Sequence, residues 1–180
     1  NLLRFVCDHS PSLRRLTTTY SERPSMPDPL LAVFACISKL TNLKELLLSS
    51  LAELTHLRGS QWTNLPKLTT LQSLRFLSLY SYSGTSANLI KVLEQLPSLT
   101  TLDLVSCNTT IRLSSNLPSL STLWLSSSAL EISSFAQMAK LPNLTELDLS
   151  FMILNPGTLK YLSRSKSLKR LCLLGAKFRA

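Results

Sequence analysis

"LPSLTTLDLVSC" spans Leu96 to Cys107, and its leucines stand at 96, 99, 102 and 104. In an extended chain successive side chains point to opposite sides. Within "TTLDL" that puts Leu102 and Leu104 on one side and Asp103 on the other. One short strand carrying three leucines cannot stay folded alone, so the stretch needs copies of itself to pack against. The sequence supplies them: "LPSLSTLWLSSS" begins at Leu117 and "LPNLTELDLSFM" at Leu141.

Aligned on the frame L-x-x-L-x-L, complete copies start at Leu43, Leu74, Leu99, Leu120, Leu144 and Leu168. A degenerate copy, "LRRLTTTY", starts at Leu13 and has Thr18 in place of the third leucine. The starts are 30, 31, 25, 21, 24 and 24 residues apart, which suits one strand plus one return segment per turn. Stacked copies form a parallel sheet and bury their leucines in one continuous core. Each buried leucine contributes roughly 1.5–3 kcal/mol. The eighteen frame leucines of the six complete copies therefore offset a large ordering cost.

The frame resembles the leucine-rich repeat family, most closely at Leu99 to Cys107, where L-x-x-L-x-L-x-x-C is complete. The resemblance implies an α/β solenoid, curved, with parallel strands on the concave face and short helices and loops on the convex side. In the family a polar Asn or Cys after the strand satisfies backbone groups of the turn. Here Leu51, Tyr82, Ser128, Met152 and Ala176 stand at that position. Irregular turns, with amides bonded to water or neighbours, are therefore expected. The mixed repeat lengths and "SPSLRRL" are also loosely similar to the repeat regions of F-box-type substrate receptors in ubiquitin ligases, although no F-box lies within these residues.

The return segments differ. "GTSANLIKVLEQL" (84–96) spaces Leu89, Val92, Leu93 and Leu96 for one helix face. "SSFAQMAKL" (133–141) does likewise, with Ser133 or Ser134 as the N-cap. "NPGTLKYLSRSKSL" turns at Asn155-Pro156-Gly157 and then faces Leu159 and Leu162 inward, whereas "NTTIRLSSN" (108–116) is too short and polar for a helix. In the first forty residues, "NLLRFVCDHS" reads as the end of a return helix. "SERPSMPDP" (21–29), with three prolines, reads as a loop, and "LLAVFACISKL" (30–40) as a buried helix. Residues 1–180 are thus expected to be a single solenoid of about seven repeats, a fragment of a longer chain. Residues 1–42 form an enlarged, degenerate first repeat and 43–180 the regular ones. Neither end carries a polar cap, so open ends would expose core leucines.

Composition narrows the function. Charged residues are 16% and hydrophobic residues 44%, which argues for a packed chain. No apolar run is long enough for a membrane span. Cys7, Cys36, Cys107 and Cys172 are far apart and read as small buried hydrophobes rather than metal ligands. Sequons occur at Asn108 and Asn143 and leave an extracellular recognition ectodomain open, while an intracellular location is favoured. The net charge of +9 is concentrated: residues 151–180 hold seven basic groups and no acidic one, while residues 41–150 balance at seven each. Lys160, Arg164, Lys166, Lys169, Arg170, Lys177 and Arg179 are therefore candidate contacts to RNA or another acidic partner, as in a structural component of a large RNA-containing assembly.

No nucleophile elbow, zinc signature or phosphate loop is present, His9 and His56 are isolated, and no cofactor is expected. Asp103 and Asp148 share a strand position two repeats apart, about 10 Å at the usual strand spacing, too far for shared-proton chemistry. A non-enzymatic interaction scaffold is the leading expectation. The outward column between the second and third leucines reads Thr17, Leu47, Ser78, Asp103, Trp124, Asp148, Cys172, and the column before it Arg15, Glu45, Phe76, Thr101, Thr122, Glu146, Arg170. The third reads Thr19, Ser49, Tyr80, Val105, Ser126, Ser150, Leu174. Phe76, Tyr80 and Trp124, flanked by Asp103, Glu146 and Asp148, have the composition of a protein-binding hot spot. Cross-strand packing of Trp124 that merely stabilises the sheet is the competing reading.

Overall fold

The computed structural model describes residues 2–20, 34–50, 66–80, 86–107 and 110–179. Seven strands form one sheet: β1 (Arg15–Tyr20), β2 (Glu45–Ser50), β3 (Phe76–Tyr80), β4 (Thr101–Asp103), β6 (Thr122–Trp124), β8 (Glu146–Asp148) and β10 (Arg170–Cys172). They lie in that order and every pairing is parallel. The register is that of the leucine frame, Leu46 opposite Leu77, Leu77 opposite Leu102, Leu102 opposite Leu123 and Leu123 opposite Leu147. The degenerate first copy is a full strand: Thr18 sits opposite Leu48, because backbone pairing does not need the missing leucine.

A bifurcated hydrogen bond repeats at the entry to each strand. The Arg14 carbonyl accepts from the amides of Lys44 and Glu45, that of Lys44 from Arg75 and Phe76, and that of Arg75 from Thr100 and Thr101. The pattern continues through Thr100, Ser121 and Thr145. The frame leucines of the coils starting at 43, 74, 99, 120 and 144 are all buried, most of them completely. They join Phe34, Ile37, Leu68, Leu89, Val92, Phe135 and Met138 from the return segments in one core. The last coil is different: Leu171 is 38% exposed and Leu168 and Leu173 are only half-buried, since no later strand among the described residues covers them.

In the last four coils the turn after the strand crosses the left-handed region two residues past the third leucine. Ser106, Ser127, Phe151 and Gly175 have φ of 54°, 56°, 58° and 64°. The chain adopts this conformation in four successive coils whatever the side chain, so stacking, not local preference, sets it. Beyond these turns lie two outer pairs, β5 (Thr110–Ile111) with β7 (Ala129–Leu130), and β9 (Ile153–Leu154) with β11 (Lys177–Phe178). The sequence pattern does not announce these outer strands.

The turns are better satisfied than their residue types suggest. Ser128, at the position where the family carries Asn, accepts the Cys107 amide at 3.1 Å and donates to the Leu104 carbonyl at 2.6 Å. The bond is of the neighbour-borne kind expected: a serine hydroxyl from the following coil closes the turn. Ser134 repeats the device outside, accepting the Leu113 amide at 3.0 Å and donating to the Ile111 carbonyl at 3.2 Å.

Helices fill some returns: α1 (Leu2–His9), α2 (Ser86–Leu93), α3 (Ile132–Met138) and α4 (Pro156–Leu162). In α2 the expected face is inward, with Leu89, Val92 and Leu93 buried. The N-cap of α3 is Glu131 and not Ser133 or Ser134, because the Ser134 hydroxyl is committed to the neighbouring coil. In α4, Asn155 caps the helix by accepting from the Gly157 amide at 2.8 Å, Leu162 is buried and Leu159 half-buried. Of the expected helix over 30–40, residues 34–37 are helical, with Phe34, Cys36 and Ile37 buried. The proline-rich loop over 21–29, His56 and Asn108 lie outside the described residues.

Candidate functional site

The stacked frame brings the first two outward columns into register on one face. Asp103 is directly opposite Trp124 and Trp124 opposite Asp148; Phe76 is opposite Thr101 and Glu146 opposite Arg170. Tyr80 occupies its backbone position opposite Ser49. Trp124 and Phe76 belong to strands separated by β4, yet their rings meet edge to face, with centroids 6.2 Å apart and planes at 67°. Such an offset contact is worth about 0.5–1.5 kcal/mol beyond area burial. Trp124 keeps 38% of its surface exposed. It therefore both packs across the sheet and presents a ring edge outward.

Asp103 lies on the strand between the two rings. Its Oδ2 accepts from the Ser78 hydroxyl at 2.9 Å, while its Oδ1 is buried without a hydrogen-bond partner. Burial raises the Asp103 carboxyl above its ordinary range; the Ser78 bond opposes this and the Asp148 charge adds to it. Asp148 is held differently, its Oδ1 accepting the Ser150 amide at 2.7 Å. Glu146 pairs with Arg170 at 2.9 Å, and Glu45 pairs with Arg15 at the other end of the same column. Trp124, Glu146, Asp148, Arg170, Leu171 and Cys172 line an open depression of about 450 Å³. This is a recess with one aromatic wall, two carboxylates and a guanidinium, suited to polar and aromatic contacts with an extended ligand.

Cys172 corrects the expectation of four buried thiols. Cys7, Cys36 and Cys107 are buried, but Cys172 is exposed, because its strand position faces outward in the middle column. Its Sγ lies 3.2 Å from the Ser150 hydroxyl. Cys7 is the opposite case, with burial and the neighbouring Cys36 pushing its thiol up to about 11.

The seven C-terminal cations are divided among different elements rather than gathered. Arg170 lies on the sheet, Lys160 on α4, Lys177 on β11 in the outer pair, with Arg179 just after it. Arg164 stands 5.8 Å over the Tyr161 ring. With Lys140 and Lys166, Arg164 lines a second open recess of about 450 Å³ between return segments. Lys169 sits at the entry to β10. Among the described residues no group of three His, Cys, Asp or Glu is arranged to hold a metal ion, and no helix is long and apolar enough to cross a membrane.

The pattern of one parallel sheet with short returns defines the class: the fold is a leucine-rich-repeat solenoid. No family model matches the sequence. No curated protein matches it either. Solved structures do. Human 5T4 (Wnt-activated inhibitory factor 1, trophoblast glycoprotein) superposes with a TM-score of 0.57 at 23% identity, over 89% of this chain and 61% of that one. Internalin C2 from Listeria monocytogenes gives 0.39 at 22% identity, over 77% and 74% of the two chains. The Drosophila Toll–Spatzle complex gives 0.47 at 14% identity, over 97% of this chain and 28% of that one. This chain thus spans about three fifths of the 5T4 chain, and the likeness is one of fold.

Proposed function

We propose that the chain is a non-enzymatic scaffold that grips a protein or peptide on its concave face, centred on Phe76, Tyr80, Asp103, Trp124, Glu146 and Asp148. The observation that carries this reading is the Phe76–Trp124 contact across β4. A ring placed on the outer side of a sheet, still 38% exposed and bordered by carboxylates, is poised to bury further area against a partner. In this reading residues 1–180 act as one solenoid of about seven repeats, in a substrate-recognition or assembly subunit of which an F-box-type receptor is the finer form. Replacing Trp124 with Ala tests it. Partner binding falls at least about tenfold while the melting temperature moves by only a few degrees. A large loss of stability with binding intact assigns Trp124 to the sheet alone and refutes the reading.

A second reading, an extracellular recognition ectodomain, draws on two observations. Human 5T4 is by name a glycoprotein. Asn143, the asparagine of a sequon, is exposed, although its Nδ2 donates to the Pro118 carbonyl at 2.7 Å. Mass spectrometry of the protein from a secreting eukaryotic host tests this: a glycan on Asn108 or Asn143 supports it, and a chain unmodified at both refutes it.

A further inference from the structure

One column of the frame changes its chemistry along the stack. It is the residue directly after the first leucine, at the entry to each strand. In the three middle coils it is Thr100, Ser121 and Thr145, and each hydroxyl donates to the carbonyl of the same position one coil earlier, at 3.1, 3.1 and 3.2 Å. In the first three coils the position holds Arg14, Lys44 and Arg75, and in the last coil a single Lys169 beside Thr145. Arg14 and Arg75 are exposed, Lys44 is half-buried, and no acidic side chain among the described residues pairs with any of them. The neighbouring carboxylate, Glu45, is bonded to Arg15.

This arrangement works against folding in two ways. Lys44 and Arg75 forgo the hydroxyl bond to the preceding coil that the later coils use, worth about 0.5–1.5 kcal/mol each. They also set like charges side by side on adjacent parallel strands about 4.8 Å apart, a pairing that destabilises a sheet. Threonine would serve the fold better at Lys44 and Arg75, as coils four to six demonstrate. The cost is recovered when an anionic partner lies along the column.

We propose that Arg14, Lys44 and Arg75 form a docking strip for a short acidic segment of a protein partner. The proposal deepens the scaffold reading and rests on it for the partner being a protein. The strip spans only about 10 Å, two strand spacings, which matches a few carboxylates on an extended peptide. Arg75 directly precedes Phe76, so the strip borders the column that carries the aromatic pair.

The test uses a fluorescein-labelled hepta-glutamate peptide, followed by anisotropy against the full chain at about 50 mM salt, where surface charges are weakly screened. In one variant Arg14, Lys44 and Arg75 all become Thr; in a control of equal charge change, Lys160, Lys166 and Lys177 become Thr. The strip variant loses at least about tenfold in affinity and the control no more than about threefold. The strip variant also melts no lower than the native chain, because hydroxyls extend the ladder. Trp124→Ala leaves binding of this peptide unchanged, which separates failure of the strip from failure of the aromatic site. Equal losses in both triple variants assign binding to diffuse net charge and overturn the proposal. So does a lower melting temperature of the strip variant, which makes the cations structural. So does tighter binding of a heptauridylate that is lost with the strip, which makes the partner a nucleic acid.

Discussion

Replacing Ser128 with Ala isolates the hydroxyl that links two coils. The Ser128 side chain is 6% exposed, and its two partners belong to Cys107 and Leu104, themselves buried at 5% and 0%. Removing the hydroxyl deletes its bond from the Cys107 amide at 3.1 Å and its bond to the Leu104 carbonyl at 2.6 Å. Removing one partner of a buried hydrogen bond costs roughly 1–3 kcal/mol. Taking the low end for both gives a destabilisation of about 2 kcal/mol, with little offset from the small volume lost. Urea unfolding followed by circular dichroism reads this as a lower midpoint at unchanged slope. Ser133→Ala is the control, since that exposed hydroxyl reaches only the Glu131 carboxylate two residues away, and its midpoint stays put. A change under about 0.5 kcal/mol for Ser128→Ala, within the usual range of a surface substitution, refutes the assignment of a turn-closing role.

Two further outcomes follow from the geometry. Asp103 holds its proton more tightly in the folded chain than its ordinary 3.8 implies, so between that value and its raised one the native state binds more protons than the unfolded state. Stability contributed at this site is therefore greatest in acid and falls as pH rises through that window. Asp103→Asn is stabilising at neutral pH, and denaturant titrations show the gain shrinking towards pH ~4; a gain that is constant or grows in acid contradicts the assignment. Gly175→Ala meets a φ of +64° and places a Cβ 2.7 Å from the Phe151 ring. The exposed ring can move aside, so the backbone term dominates at about 1–2 kcal/mol, read as a lowered melting temperature. No change in melting temperature would show that the last turn relaxes freely.

The strand positions and the outward columns were legible in the leucines alone, because a two-residue alternation leaves one choice of face. The frame even located β1, where Thr18 interrupts it. What the sequence hid is the traffic between coils. Ser128, Ser134 and Thr145 bond to atoms more than twenty positions away, and nothing distinguishes them locally from the many other serines and threonines. The α3 cap was misplaced for that reason. The outer pairs β5–β7 and β9–β11 are two residues long, too short to show any period. The meeting of Phe76 with Trp124 was hidden for a related reason: it passes over an intervening strand, and register alone gives columns, not ring orientations.

The bifurcated bonds at the strand entries join each coil to its predecessor at one fixed register. Deleting a single residue inside a frame would turn every later side chain of that strand from core to solvent. Changes in the returns carry no such penalty, and the spacings of 21 to 31 residues show lengths already varying there. Removal of a whole period would bring two compatible edges together. Genetic change in such a chain is therefore free outside the sheet and quantised within it, so the sheet can be lengthened or shortened by duplication or loss of entire units without redesigning the rest.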